Sequence, residues 1–265
     1  YVHVMYERHT TLESYMQSIR SHFELRDVDF MDGIIHSPDE YILSVGNFTD
    51  SAPYTNRYEW LKVYYLSTRK RREDYLKTPD YFFRYDQGVT NVGPTSFLGR
   101  LLFGRLFYSS SKLSIAEKFH KILPERLIPV TVDLFIPCKN MQQFMAWYQK
   151  EVNFFPLWCV PYRPPRDYEW INSDYMDRIR DDLFIDLAIY GMKKPADKNV
   201  YRTIEEGLMQ TGGLKTLISD NLYSKDEFWS IWNRKNFDKV KKRTDPHNIF
   251  RNLYTKTCRT MRGLE

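Results

Sequence analysis

"IPVTVDLFIPCKNMQQFMAWYQKEVNFFPLWCVPY", residues 128–162, reads as strand, helix, strand. An extended run rich in Val, Ile and Leu passes into a helical stretch, "KNMQQFMAWYQKEV", and returns to an extended run, "FPLWCVPY". After a polar loop, "LFIDLAIYG" at 183–191 adds a strand with clean alternation. Leu183, Ile185, Leu187 and Ile189 fall on one side, and Phe184, Asp186, Ala188 and Tyr190 on the other. The sheet is therefore expected to have a helix-covered face and a mixed aromatic and polar face. A mixed face is where a ligand can lie, and a subunit or domain contact draws on the same residue types.

Working outward, the same order stands at the front of the chain: strand "YVHVMYE", helix "TLESYMQSIRSHFE", strand "VDFMDGIIHS", then strand "EYILSVGNFT" after an "SPDE" turn. Each half is β-α-β-β, although no sequence identity links the two. The pattern predicts an α+β fold: an antiparallel sheet built from two split β-α-β, ferredoxin-like modules with helices on one face, plus a helical C-terminal tail. A helix at about 198–211 and a short strand "LKTLIS" follow the second module. Residues 55–125 read as a helical and irregular insertion containing the long connection "LKTPDYFFRYDQGVTNVGPTS", and long ordered loops are often functional. In the tail, Ser224 with Glu227 three residues on is a capping box opening "SKDEFWSIW". A further helix, "NFDKVKKRT", is broken by Pro246.

Composition narrows the chemistry. The 265 residues suffice for one large or two ordinary domains. The 20 Tyr, 17 Phe and 6 Trp fill a core or line pockets for flat or greasy ligands. A net charge of +5, with acids following the densest basic run "STRKRRED" at once, argues against nucleic acid as a partner. Cys138, Cys159 and Cys258 are dispersed and form no CxxC, which fits an intracellular chain, cytoplasmic or membrane-associated, with ordinary thiols. No apolar run approaches the ~20 residues of a spanning helix. "FLGRLLFGRLFY" at 97–108, with Arg100 and Arg105, reads as a core-facing helix or as a peripheral membrane contact. No HExxH, GxSxG, GxxxxGK[ST] or GxGxxG occurs, no metal site is expected, and the six histidines, His120 among them, read as structural or surface residues. The chain opens in mid-strand, which reads as the remainder of something longer.

Five stretches in order resemble the carboxy-terminal half of the sterol delta-24 reductase (diminuto/seladin) family, a branch of the vanillyl-alcohol-oxidase class of FAD enzymes. They are "FMDGIIHSPDEYILSVGNFTD" at 30–50, residues 128–162, "LFIDLAIYG", "YSKDEFWSIWN" at 223–233 and "DPHNIFRNLYTKTC" at 245–258. The resemblance implies a cap and substrate-binding domain over 1–222 and a tail over 223–265 that packs toward an N-terminal FAD-binding domain. It implies hydride transfer between FAD and an apolar small-molecule substrate, with NADPH as a candidate electron donor. Tyr223, at the position of a family tyrosine, becomes the candidate proton donor. Trp158, Tyr162 and Tyr190 become candidate pocket walls, with Arg84 and Tyr85 matching an aromatic and basic family stretch loosely. Asn233, Lys235, Lys239 and Arg243 are the residues expected beside the flavin. The phosphate-cradling part of an FAD domain is outside this sequence. Two other functions stay open: a non-catalytic, cap-derived binding or scaffold subunit, and nucleic-acid binding through the basic tail. Substrate identity and oligomeric state are not legible.

Overall fold

The computed structural model describes residues 1–86, 98, 99, 101, 129–166 and 168–264. In chain order its elements are β1 (Val2–His9), α1 (Leu12–Leu25), β2 (Phe30–Ser37), β3 (Glu40–Phe48), α2 (Tyr64–Thr68), β4 (Glu73–Leu76) and α3 (Thr78–Phe82). There follow β5 (Val130–Pro137), α4 (Met141–Glu151), β6 (Leu157–Tyr162), α5 (Ser173–Ile179), β7 (Phe184–Met192), α6 (Val200–Thr211), β8 (Leu214–Lys215), α7 (Lys225–Ile231) and α8 (Arg234–Thr244). A short π-helical turn, Thr255–Arg259, lies near the end.

The strands form one eight-stranded sheet in the order β4-β1-β3-β2-β6-β7-β5-β8. β3 lies between β1 and β2, and β7 lies between β5 and β6, so both modules are split β-α-β units and the expected α+β fold is the observed one. β1 runs antiparallel to β3 from Val2↔Phe48 to His9↔Tyr41, and β2 runs antiparallel to β6 through Ile34↔Trp158. By contacts the chain divides into two compact units. The first comprises Tyr1–Thr131, Asn153–Pro161 and Asp186–Lys194, and the second Val132–Val152, Tyr162–Ile185 and Pro195–Glu265.

In the first unit, α1 begins where the Thr11 side chain accepts the Ser14 N–H and ends at Arg26, which adopts φ 54 and returns its N–H to His22. Its Tyr15 packs over Gly33 so closely that a Cβ there would stand 2.2 Å from the Tyr15 hydroxyl and 2.7 Å from the Ile42 carbonyl. Period-two alternation sends the next residue, Ile34, to the opposite face. There it joins Val2, Val4, Tyr6 and Ile42 beneath Tyr58, Tyr64, Tyr65, Tyr81 and Tyr85. The chain's own residues 58–85 therefore cover this part of the mixed face.

In the second unit α4 and α6 meet where Gly207 faces Trp147; a Cβ on Gly207 would fall 2.2 Å from the indole. A second cluster gathers Tyr175, Ile179, Phe184, Tyr223, Phe228 and Ile231. Ser224 and Glu227 form the expected capping box of α7.

Three expectations need correction. The described part of the insertion is not only helical and irregular, because Glu73–Leu76 forms β4 by pairing with β1 as Val2↔Leu76. The basic run ahead of it is a turn: Arg69 forks onto Glu40 at 2.6 and 2.8 Å, and Arg8 reaches the carbonyls of Arg69 and Arg71. The polar loop before "LFIDLAIYG" contains α5, capped by Asn172, and "LKTLIS" contributes only Leu214–Lys215 as strand. The 97–108 segment as a whole, the rest of the long connection and His120 lie outside the described residues.

Candidate functional site

Three of the expected pocket residues meet in the first unit, around a carboxylate that sequence reasoning did not single out. Asp32, on β2, is 4% exposed. Its Oδ1 accepts from Arg84 Nη2 at 2.9 Å, and its Oδ2 accepts from the Tyr85 hydroxyl at 2.6 Å and from Trp158 Nε1 at 2.9 Å. Arg84 also donates to the Tyr81 carbonyl at 2.8 Å, and its guanidinium lies 3.8 Å from the Tyr81 ring centroid and 4.8 Å from that of Tyr85. Burial alone would lower the Arg84 pKa, but the Asp32 carboxylate and the surrounding rings outweigh it and hold the guanidinium charged. Burial and the Asp32 charge push the Tyr85 phenol up, so it stays a donor. These side chains are engaged with one another and with Asp32, and they tie the 58–86 segment to the sheet. Tyr190, half-buried on β7, belongs to the same unit but is not part of this hub.

The second unit holds a cleft of about 910 Å³. Phe135, Phe184 and Leu214 come to it from the sheet, Trp229 and Trp232 from α7 and its end, and Phe237 from α8. Ile171, Met176 and Ile179 deepen it and are buried. Its exposed side is the end of β6, where Tyr162 is 46% exposed, and the loop that follows, with Arg163, Pro164, Pro165, Arg166 and Tyr168. The aromatic walls are braced: Phe135 and Tyr162 centroids are 5.6 Å apart and Trp229 and Phe237 5.7 Å, and Trp232 lies 6.1 Å from the buried core residue Phe228. Of the expected pocket walls, Tyr162 is the one that lines this cleft.

Behind the cleft lies a buried ion pair. Lys215 lines the cleft, but its side chain is fully buried and reaches Glu205, also fully buried, at 2.9 Å and the Asp220 carbonyl. Glu205 further accepts the Leu222 N–H at 2.9 Å. Burial pushes the Glu205 carboxyl up and the Lys215 ammonium down, each against the pull of the other's charge. Tyr223 belongs to the same cluster, 4% exposed, its ring 5.7 Å from Lys215 Nζ and 6.5 Å from Phe228. It does not line the cleft. Its hydroxyl makes no hydrogen bond among the described residues, and burial followed by the Glu205 charge raises its pKa, keeping it protonated.

Asn233 caps α8, accepting from the Asn236 N–H at 3.0 Å and donating to the Glu169 carbonyl at 3.1 Å, so it fixes the cleft loop to the start of α8. Asn233 and Lys235 line a polar groove of about 670 Å³ with Asn172, Arg234 and Asn236, and Asn233 lines the apolar cleft as well. Lys239 and Arg243 continue from Lys235 at intervals of four residues along one exposed stripe of α8. Among the described residues no cluster of three His, Cys, Asp or Glu side chains is placed to hold a metal ion, and no helix is long and apolar enough to cross a membrane.

No protein-family model matches the chain. It is 22% identical over 284 residues to the human and mouse Delta(24)-sterol reductases, an alignment that takes in 99% of this chain and 54% of each relative. A Delta(24)-sterol reductase homolog of Caenorhabditis elegans is 19% identical over 291 residues. The chain spans about half the length of these relatives. Along nearly its whole length, then, this chain is a distant relative of the Delta(24)-sterol reductases.

Proposed function

We propose that this chain is the cap and tail portion of an FAD-dependent oxidoreductase that acts by hydride transfer on an apolar, sterol-like substrate, with NADPH as the candidate electron donor. The observation that carries the reading is the similarity to sterol reductases over 99% of the chain, with no part of the fold left over. In this reading the open aromatic cleft of the second unit faces the substrate, and the flavin domain belongs to a longer polypeptide. The fit to FAD is partial and specific. Lys235, Lys239 and Arg243 form an exposed cationic stripe, and Asn233 anchors its start; these residues suit the edge of an electron-rich ring, while nothing in the sequence resembles a glycine-rich phosphate cradle. When bound, FAD supplies the hydride-carrying ring nitrogen. The chain's own part is to shape an apolar enclosure, exclude water and hold a proton. Tyr223 is the candidate holder, because its phenol is protonated and has no hydrogen-bond partner among the described residues. Its raised pKa makes it a reluctant acid, so the role requires substrate and flavin to approach it closely.

The scaffold alternative draws support from the closed Asp32 hub, which devotes Arg84, Tyr85 and Trp158 to internal bonding. The deciding experiment is purification of the protein from its native gene. The expected result is a yellow protein with an oxidised-flavin spectrum that NADPH bleaches and a Δ24 sterol restores. A colourless protein with intact fold, unable to take up added FAD, would establish the scaffold reading instead.

A further inference from the structure

We infer that the turn after α8, Asp245–Phe250, is a docking point for an anionic lipid surface: Ile249 and Phe250 enter the boundary between headgroups and acyl chains, and the cations around them face the acidic headgroups. The inference goes beyond the proposed function and depends on neither its flavin nor its substrate.

Charge is spread unevenly along the chain. From Arg234 to Arg262 ten Lys and Arg stand against two Asp, whereas the whole chain carries only +5, so the remainder is on balance acidic. The two acids are engaged locally, Asp238 with Arg234 at 3.4 Å and Asp245 with Lys241. Lys242, Arg243 and Arg251 are exposed on either side of the turn in sequence.

Inside this cationic stretch stand two adjacent apolar side chains, Ile249 at 76% and Phe250 at 72% exposure. The turn is built to hold them out. The Asp245 carboxylate accepts the Ile249 N–H at 2.8 Å and the Phe250 N–H at 3.0 Å, and Lys241 donates both to that carboxylate and, at 2.6 Å, to the Phe250 carbonyl. Asn248, with φ 52, sits in the left-handed region that the reversal requires, and its N–H returns to the Asp245 carbonyl at 3.0 Å. The knuckle is therefore formed before anything binds, and docking costs little backbone freedom.

Charge complementarity selects the occupant. A bilayer with acidic lipids offers a layer of negative charge with an apolar layer directly beneath it, and an apolar insertion combined with a basic patch binds more firmly than either signal alone. A nucleic acid would satisfy the cations through its phosphates and leave Ile249 and Phe250 in water. Phe82 and Phe83 are also adjacent and exposed, at 58% and 72%, but Phe83 borders a groove where Glu59, Asp80 and Asp86 outnumber Arg57, and an anionic surface would repel it. The position is compatible with a flavin near Asn233, since the eleven residues of α8 place the two ends about 16 Å apart.

The test is co-sedimentation of the purified 265-residue chain with phosphatidylcholine vesicles, with and without phosphatidylserine. The expected result is binding to the phosphatidylserine vesicles, about tenfold weaker without that lipid and weakened by salt. Ile249→Asp combined with Phe250→Asp should reduce it about tenfold, and Lys242→Glu combined with Arg251→Glu should abolish the preference for phosphatidylserine, both with unchanged circular dichroism. Phe83→Asp should bind as the parent does. Absence of binding by the parent, equal binding to both vesicle types, or undiminished binding by the folded Ile249/Phe250 variant would overturn the inference. So would retention on duplex DNA that outcompetes vesicles, or a parent dimer that the Ile249/Phe250 variant converts to monomer. A second measurement uses Phe250→Cys in the protein purified from its native gene: a bulky maleimide should add once more than to the parent without vesicles and be blocked by phosphatidylserine vesicles. A thiol closed to the reagent without vesicles would show that the polypeptide covers its own knuckle, which also overturns the inference.

Discussion

Replacing Asp32 by Asn would leave Arg84, whose side chain is 9% exposed, without its counter-charge. Breaking a buried pair from one side costs about 3–5 kcal/mol, mostly because the surviving charge stays buried and unpaired. Trp158→Phe removes one bond to the same carboxylate and keeps most of the ring, so about 1–3 kcal/mol is expected. Urea unfolding of the two variants should rank them in that order; equal losses would mean that the hub is held by ring packing rather than by charge. The hub also marks where sequence reading ran out. "FMDGIIHS" shows one acid in an apolar strand, and nothing local says that its partners lie 52, 53 and 126 residues away. Arg84 and Tyr85 came forward through a loose match to a family stretch and Trp158 as a pocket wall beside Tyr162 and Tyr190; that the three converge on one carboxylate was not legible. Tyr223 was legible through its match to a family tyrosine, whereas its burial depends on α6, β8 and the tail arriving together.

At the scale of elements, Gly207 is the sharpest constraint. Alanine there gains about 1 kcal/mol of helix propensity, but its methyl would stand 2.2 Å from the Trp147 indole. Overpacking of this kind costs about 1–3 kcal/mol or more, so Gly207→Ala should lower the unfolding midpoint, and a Trp147→Leu change in the same chain should recover part of the loss. A Gly207→Ala variant as stable as the parent would show that α4 and α6 can slide apart. Most elements were readable because periodicity is a local property: both β-α-β-β runs, α6 and the capped α7 fall where the pattern places them. β4 was not readable, since "EDYL" has no strand signal of its own and owes its conformation to β1 alongside it. α5 was missed for the complementary reason, a seven-residue helix being too short to show a period.

The response of the whole molecule to acid turns on a few groups. Burial lowers the His36 pKa to about 4. Above its unfolded value of ~6.5 the ring is neutral in both states and contributes nothing. Between pH 6.5 and 4 only the unfolded chain takes up the proton, so stability falls by on the order of 3 kcal/mol across that window. His22 acts in the opposite sense. Burial opposes its charge, but hydrogen bonds to Asp27 and Glu7 prevail and raise its pKa, giving a stabilisation present below pH 6.5 and lost as pH rises through the raised value. Comparison of the parent with His36→Gln isolates the first effect: the variant should lose less stability than the parent between pH 7 and pH 4.5. Parallel profiles would show that His36 is protonated in the folded chain.

The sheet uses one topology twice and treats its aromatic side differently each time. In the first unit Tyr64, Tyr81, Arg84 and Tyr85 lie against that side while remaining part of the same backbone, so they serve as a guest that cannot diffuse away. A tethered guest faces a high effective concentration and gives up little translational freedom on docking. Among the described residues no such leash lies over the hollow of the second unit. Whatever settles there must secure by its own contacts the residence that a peptide bond confers on the segment from Tyr58 to Asp86.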